Sequence, residues 1–292
     1  WYHPHPDMRT AVQVQNGLAG VMIVHDDKEA ALNLPSGDQD LVMVIQDRTF
    51  DASNQFVYQV RGMAGSYGDT ILVNGKPNYT VSAATRPYRV RILNGSNSRI
   101  YKLGFSDGSP LFIIGTDGGL LPAPTKMPFA ILGPGERLEL WVDLRRFSVG
   151  QQVKLVNQPY TLTGPSLPLP QGSAFDIATF SVDRSETDTR QLPRTLAESY
   201  LGDANFQDES DAVNQANPRS INITNSGGHW RLNGLSFTMM GYEPYEVVSK
   251  AGPEIWEFIN TASNAQAHPM HLHGPQFRVL SRSLAPGFQA SY

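Results

Sequence analysis

EIWEFINTASNAQAHPMHLHGPQF, residues 254–277, is the stretch on which the reading of this chain turns. Its first part alternates. Ile255, Glu257 and Ile259 fall on one side of an extended backbone and Trp256, Phe258 and Asn260 on the other, which predicts a β-strand. FRVL at 277–280 reads as a strand in the same way. Between them lie His268, His271 and His273, in a chain with only 7 histidines among 292 residues. In an extended segment, side chains two apart share a face and those an odd number apart point oppositely. His271 and His273 then share one face and His268 takes the other, so this one segment can serve two metal centres. Neutral imidazole suits copper, zinc and iron alike, so the residue type leaves the metal open.

The same stretch has an earlier counterpart. ILVNG (71–75) is followed by YRVRILNGSN (88–97), and RLNG (231–234) by EIWEFINTASN (254–264). Asn74 and Asn233 are 159 positions apart, and Asn94 and Asn260 are 166 apart. A unit of about 160 residues therefore recurs, which predicts two copies of one sandwich domain. The rest of the sequence agrees: 26 glycines and 21 prolines punctuate short apolar segments throughout. Several segments alternate cleanly. Leu138, Leu140 and Val142 oppose Glu139, Trp141 and Asp143, while Val90 and Ile92 oppose Arg89, Arg91 and Leu93. Helical periodicity is scarce, and TLAESYLGDANF (195–206) alone reads as a short helix. Where the second copy carries its histidines, the first has Tyr101 and Lys102. Lysine at neutral pH is a cation and a poor ligand, so the first copy reads as a spacer without metal.

A second histidine pair opens the chain in WYHPH, where His3 and His5 are again two apart. A lone H-x-H is most simply a pair of polar residues in a turn. Two clusters at opposite ends, one of them H-x-x-H-x-H, have few structural reasons to exist. WYHPH and HPMHLHG resemble the second and third of the four copper-binding motifs of the multicopper oxidases, nearest to the bacterial laccase-like and cuprous-oxidase branch. GLAGVMIVHDD (17–27), DLVMVIQDRTF (40–50), RILNGSN (91–97), TDGGLL (116–121) and GPGERLELWVDL (133–144) match the family in order and spacing. The resemblance implies an all-β chain of cupredoxin-like Greek-key β-sandwich domains. Residues 1–38 would end the first domain, 39–184 form a middle domain without copper, 185–216 link, and 217–292 begin the last. It implies that His268 serves a type 1 copper, His271 the type 2 copper, and His273, His3 and His5 the type 3 pair. The family's first and fourth motifs, the latter with the copper-binding cysteine, are not among these residues, so the resemblance also implies a longer polypeptide.

Composition narrows the field. There is no cysteine, so neither a disulfide nor a thiolate site lies within this sequence. A formal net charge of -4 with no basic run excludes nucleic acid as the expected partner. No window of some eighteen apolar residues exists to span a membrane. His25, beside the turn pair Asp26–Asp27, and His229 read as structural or surface residues. Met239 and Met240 read as core filling, although thioether sulfur is also a copper ligand. The resemblance implies an exported, periplasmic or extracellular oxidase. It would take electrons from a small aromatic reductant or a metal ion and pass them to dioxygen. The rival expectations are a copperless scaffold of the cell envelope and a copper-sequestering protein without turnover.

Overall fold

The computed structural model describes residues 1–61, 65–161, 167–197, 209–238, 241–248, 252–261, 266–274 and 276–284. Two units divide them: Trp1–Tyr200 with His268–Tyr292, and Leu201–Ala267. Met239 and Met240 lie outside the described residues, as does most of the helix expected over 195–206.

In the first unit, the strands are β1 (Asp40–Arg48), β2 (Thr70–Val73), β3 (Lys76–Pro77), β4 (Tyr79–Ala84), β5 (Pro87–Asn94), β6 (Tyr101–Phe105), β7 (Leu111–Thr116), β8 (Gly119–Met127), β9 (Ala130–Leu132), β10 (Arg137–Asp143), β11 (Gln152–Asn157) and β12 (Phe175–Arg184). They form a seven-stranded sheet, β3-β2-β1-β5-β10-β7-β8, and a five-stranded sheet, β4-β12-β11-β6-β9. Successive strands repeatedly change sheets, and β1–β5 and β4–β12 pair in parallel, which is Greek-key sandwich connectivity. One core fills the space between: Met43, Ile45, Tyr88, Val90, Ile92, Leu138, Leu140 and Val142 from one sheet meet Leu103, Phe105, Val153, Leu155, Phe180 and Val182 from the other. The chain is all-β and cupredoxin-like, as its alternation and its resemblance predict.

The opposite face of the larger sheet is covered too. Trp141 packs there with Leu34, Ile114 and Leu196. Beside it, Arg89 and Arg91 meet the carboxylates of Glu29, Asp40 and Glu139. Glu29 belongs to α2 (Asp27–Ala31), a short helix that the sequence reading missed, as it missed α1 (Thr10–Gln15). Asp26 and Asp27 are not a free turn pair: Asp26 caps α2, its carboxylate accepting the Glu29 N–H at 2.7 Å. The D-x-x-E spacing of a helix start was present in DDKE, but only five helical residues follow, too few for a periodic pattern. His25 places Nδ1 3.1 Å from Glu29 and is otherwise exposed.

The second unit holds β13 (Arg219–Ser226), β14 (His229–Leu232) and β15 (Trp256–Asn260), ordered β14-β13-β15. His229 opens β14 and is exposed. The internal repeat holds at the level of single hydrogen bonds. β13 pairs antiparallel with β14 and parallel with β15, as β1 does with β2 and β5. Asn74 sits in a tight turn at positive φ, donates to the Val42 carbonyl and accepts from the Val44 N–H. Asn233, also at positive φ, donates to Ser220 and accepts from Asn222. An Asn-Gly pair is the cheapest way to make such a turn, since both residues tolerate positive φ. At the next strand end, Asn94 donates to the Arg99 carbonyl and Asn260 to that of Gln266. Counting from that shared bond, wholly buried Tyr101 takes the place of His268 in the first copy. Its neighbour Lys102 holds its ammonium 4.3 Å from the Phe129 ring.

Candidate metal centre

Trp1 to His5 are held in place by the backbone of the first unit. Tyr2 and Gly20 exchange N–H to carbonyl bonds at 2.9 and 3.0 Å, a single antiparallel bridge. The tyrosine ring occupies the space that a side chain at position 20 would need. Trp1 stacks on His3 with ring centroids 4.4 Å apart. His3 Nδ1 lies 2.9 Å from the Pro4 carbonyl oxygen. A carbonyl only accepts, so Nδ1 carries the proton and the Nε2 lone pair is left for a metal.

The segment 266–274 carries no strand assignment, and neither do residues 276–284, so the strand expected over 277–280 is not formed. No neighbouring strand among the described residues offers either segment the hydrogen bonds that a strand requires. Burial nevertheless alternates with period two from His268 on: His268, Met270 and Leu272 are partly buried, while Pro269, His271 and His273 are exposed. His268 thus differs in burial from His271 and His273.

Four imidazoles come together from the two ends of the chain. Centroid separations are 5.3 Å for His3–His5, 5.4 Å for His5–His273 and 4.7 Å for His271–His273. The rings thus form a row, His3–His5–His273–His271, with each neighbour about 5 Å from the next. Among the described residues, no three His, Cys, Asp or Glu side chains converge on a single point. The arrangement is a succession of pairs.

Electrostatics favours the ligating form. Burial lowers the His268 pKa. Burial also lowers that of His271, helped by the positive potentials of His273 and Arg137 and opposed by Asp117. Neutral imidazole is the form that binds a metal, so these environments prepare both residues for a ligand role. The donor set fits copper: imidazoles only, and no carboxylate among them.

Sequence reasoning did not see what surrounds these rings. Asp117 and Arg137 form an ion pair of 2.7 Å whose charges act on His271. The Gly133–Glu136 turn touches both histidine segments: an added Cβ at Gly133 would lie 3.0 Å from Pro269, and one at Gly135 would lie 3.3 Å from Trp1. GPGER and TDGGLL carried the only signal, and it was no more than a likeness.

A profile described as "Multicopper oxidase" matches residues 212–291. The multicopper oxidase mco of Staphylococcus haemolyticus is 31% identical over 285 residues, covering 96% of this chain and 55% of that protein. Cell division protein FtsP of Xenorhabdus nematophila is 34% identical over 289 residues, covering 96% of this chain and 57% of that protein. The crystal structure of McoA multicopper oxidase from Aquifex aeolicus superposes with a TM-score of 0.71 at 35% identity, covering 80% of this chain and 50% of the other. The chain thus spans about half the length of the curated relatives it matches. Repeat, sandwich, paired imidazoles and relatives all lead to one assignment: this chain belongs to the multicopper oxidase family.

Proposed function

We propose that the chain is part of a copper-dependent oxidase that couples one-electron oxidation of phenols or aromatic amines to reduction of dioxygen, with a metal ion as the second substrate class. Four electrons and four protons convert one dioxygen to two waters. The observation that carries this reading is the contact of His5 with His273, because ligands from the two ends of the sequence meet at one place. In this reading residues 1–38 close a first cupredoxin domain, 39–184 are a middle domain without copper, 185–216 link, and 217–292 open the last domain. The protein works in the periplasm or outside the cell. Among the described residues, no helix is long and apolar enough to cross a membrane.

Copper, when bound, supplies the one-electron redox chemistry. The chain's own residues do the rest. His3, His5 and His273 are assigned to the type 3 pair, and His271 to the type 2 ion. His268 is assigned to the type 1 site on the opposite face. Only Pro269 and Met270 separate His268 from His271, so a short covalent path joins the two faces. The Pro4 carbonyl, 2.9 Å from His3 Nδ1, orients that ring so that Nε2 is the nitrogen offered to a metal.

A copperless scaffold is the second reading, favoured by the FtsP relative and by the lack of three converging side chains among the described residues. Copper analysis and absorption spectra of the complete protein separate the two. His268→Ala should abolish the blue absorption and leave the cluster able to fill with copper. His271→Ala should keep the blue absorption and block dioxygen reduction. A complete protein that takes up no copper supports the scaffold, and the opposite pattern of colour would mean that the two faces are reversed.

A further inference from the structure

Resting on the copper-oxidase reading, we propose that the Gly133–Arg137 turn is a positioning clamp that sets the separation of the two histidine segments. The turn is fixed from below. Gly135 N–H donates to the Asn94 carbonyl at 2.8 Å, and Asn94 N–H donates to the Glu136 carbonyl at 3.1 Å. Glu136 N–H donates to the Gly133 carbonyl at 3.0 Å, and the Glu136 carboxylate accepts the Gly133 N–H. Arg137 ties the end of the turn to Asp117, its backbone N–H at 2.9 Å and its guanidinium at 2.7 Å from the carboxylate.

The upper side of this turn meets both segments. Gly133 is buried, and an added Cβ there would stand 3.0 Å from the Pro269 Cβ, between His268 and His271 in sequence. Gly135 lies at φ +80°, and an added Cβ would stand 3.3 Å from the Trp1 ring, which stacks on His3. Two glycines two residues apart therefore let one rigid turn bear on both histidine segments at once. His5 and His273 are the rings that meet across the gap. The spacer domain thus contributes to the centre by holding it to length, with no ligand of its own.

Gly133→Ala is the probe: Gly133 is outside the positive-φ region, and an added Cβ would stand 3.0 Å from Pro269 and 3.2 Å from the Glu136 carboxylate, so a Pro269 background separates the two contacts. Copper affinity of the complete protein should fall about tenfold, the scale of a lost outer-sphere support. On a Pro269→Gly background, the same change should cost less than about twofold, since the atom it presses against is gone. Equal losses on both backgrounds would overturn the clamp. A second measurement needs no copper: the nuclear Overhauser effect between ring protons of His5 and His273 in metal-free protein with labelled histidine. Gly133→Ala should weaken it and Pro269→Gly should restore it. An unchanged effect overturns the clamp, whereas a wild-type protein that binds no copper sinks the oxidase reading and leaves this second result to decide.

Discussion

At the scale of single residues, Asp47 and Arg99 face each other at 2.8 Å with side chains 1% exposed. Asp47 also accepts the Gly68 N–H, and Arg99 donates to the carbonyls of Gly68 and Leu169. Such a pair is costly to break, because either partner alone is an uncompensated buried charge. Asp47→Ala should destabilise the sandwich by about 3–5 kcal/mol, read from chemical unfolding. Asp47→Leu combined with Arg99→Met should cost clearly less than the single change; an equal or larger cost would mean that the pair adds net stability. The sequence did not reveal this pair, since nothing in QDR or NSR tells a buried ion pair from a solvated one. The alternation of burial along His268, His271 and His273 was legible, because parity along an extended backbone needs no tertiary information. The stacking of Trp1 on His3 was not, because it depends on how the two rings turn at their own backbone.

At the scale of elements, the docking of α2 on the larger sheet rests on Glu29. Burial opposes its ionisation, but hydrogen bonds and charge from Arg89, with His25 and Arg91, outweigh it and hold the carboxyl below its usual range. A depressed folded-state pKa gives stability that is present above the unfolded value near 4.3 and is lost as pH falls through the lower folded value. Acid should therefore loosen α2 as pH falls below about 4.3. The unfolding midpoint of wild type should fall between pH 5 and 3, and Glu29→Gln should be less stable at pH 7 but change less over that window. Identical slopes would remove Glu29 from this role. The strands were readable from their alternation, and the ion pairs of Arg89 and Arg91 explain why the polar face of β5 is buried as well. The two short helices were not readable, since their stability comes from docking and capping rather than from a periodic stripe. The 277–280 segment shows the converse: its alternation is that of a strand, and no described strand stands beside it to pair with.

At the scale of the whole chain, the repeat was legible from ILVNG and RLNG, and the structure explains why those letters recur. The Asn-Gly turn and the strand-ending asparagine make the same hydrogen bonds in both copies, so they are fold-bearing in each. The histidines lie outside that shared framework, and in the first copy buried Tyr101 stands at the position of His268. What the sequence left unread is the close approach of Gly133 to Pro269 and of Gly135 to Trp1, because a glycine signals room for a neighbour without naming it. The central claim is that the two ends of the chain share one copper cluster. Copper per complete protein, counted in His5→Ala, His273→Ala and the double variant, tests it most directly. A shared cluster predicts that each single change releases copper and that the double change releases no more than either alone. Losses that add in the double variant, or a single variant that keeps its full copper, would contradict it.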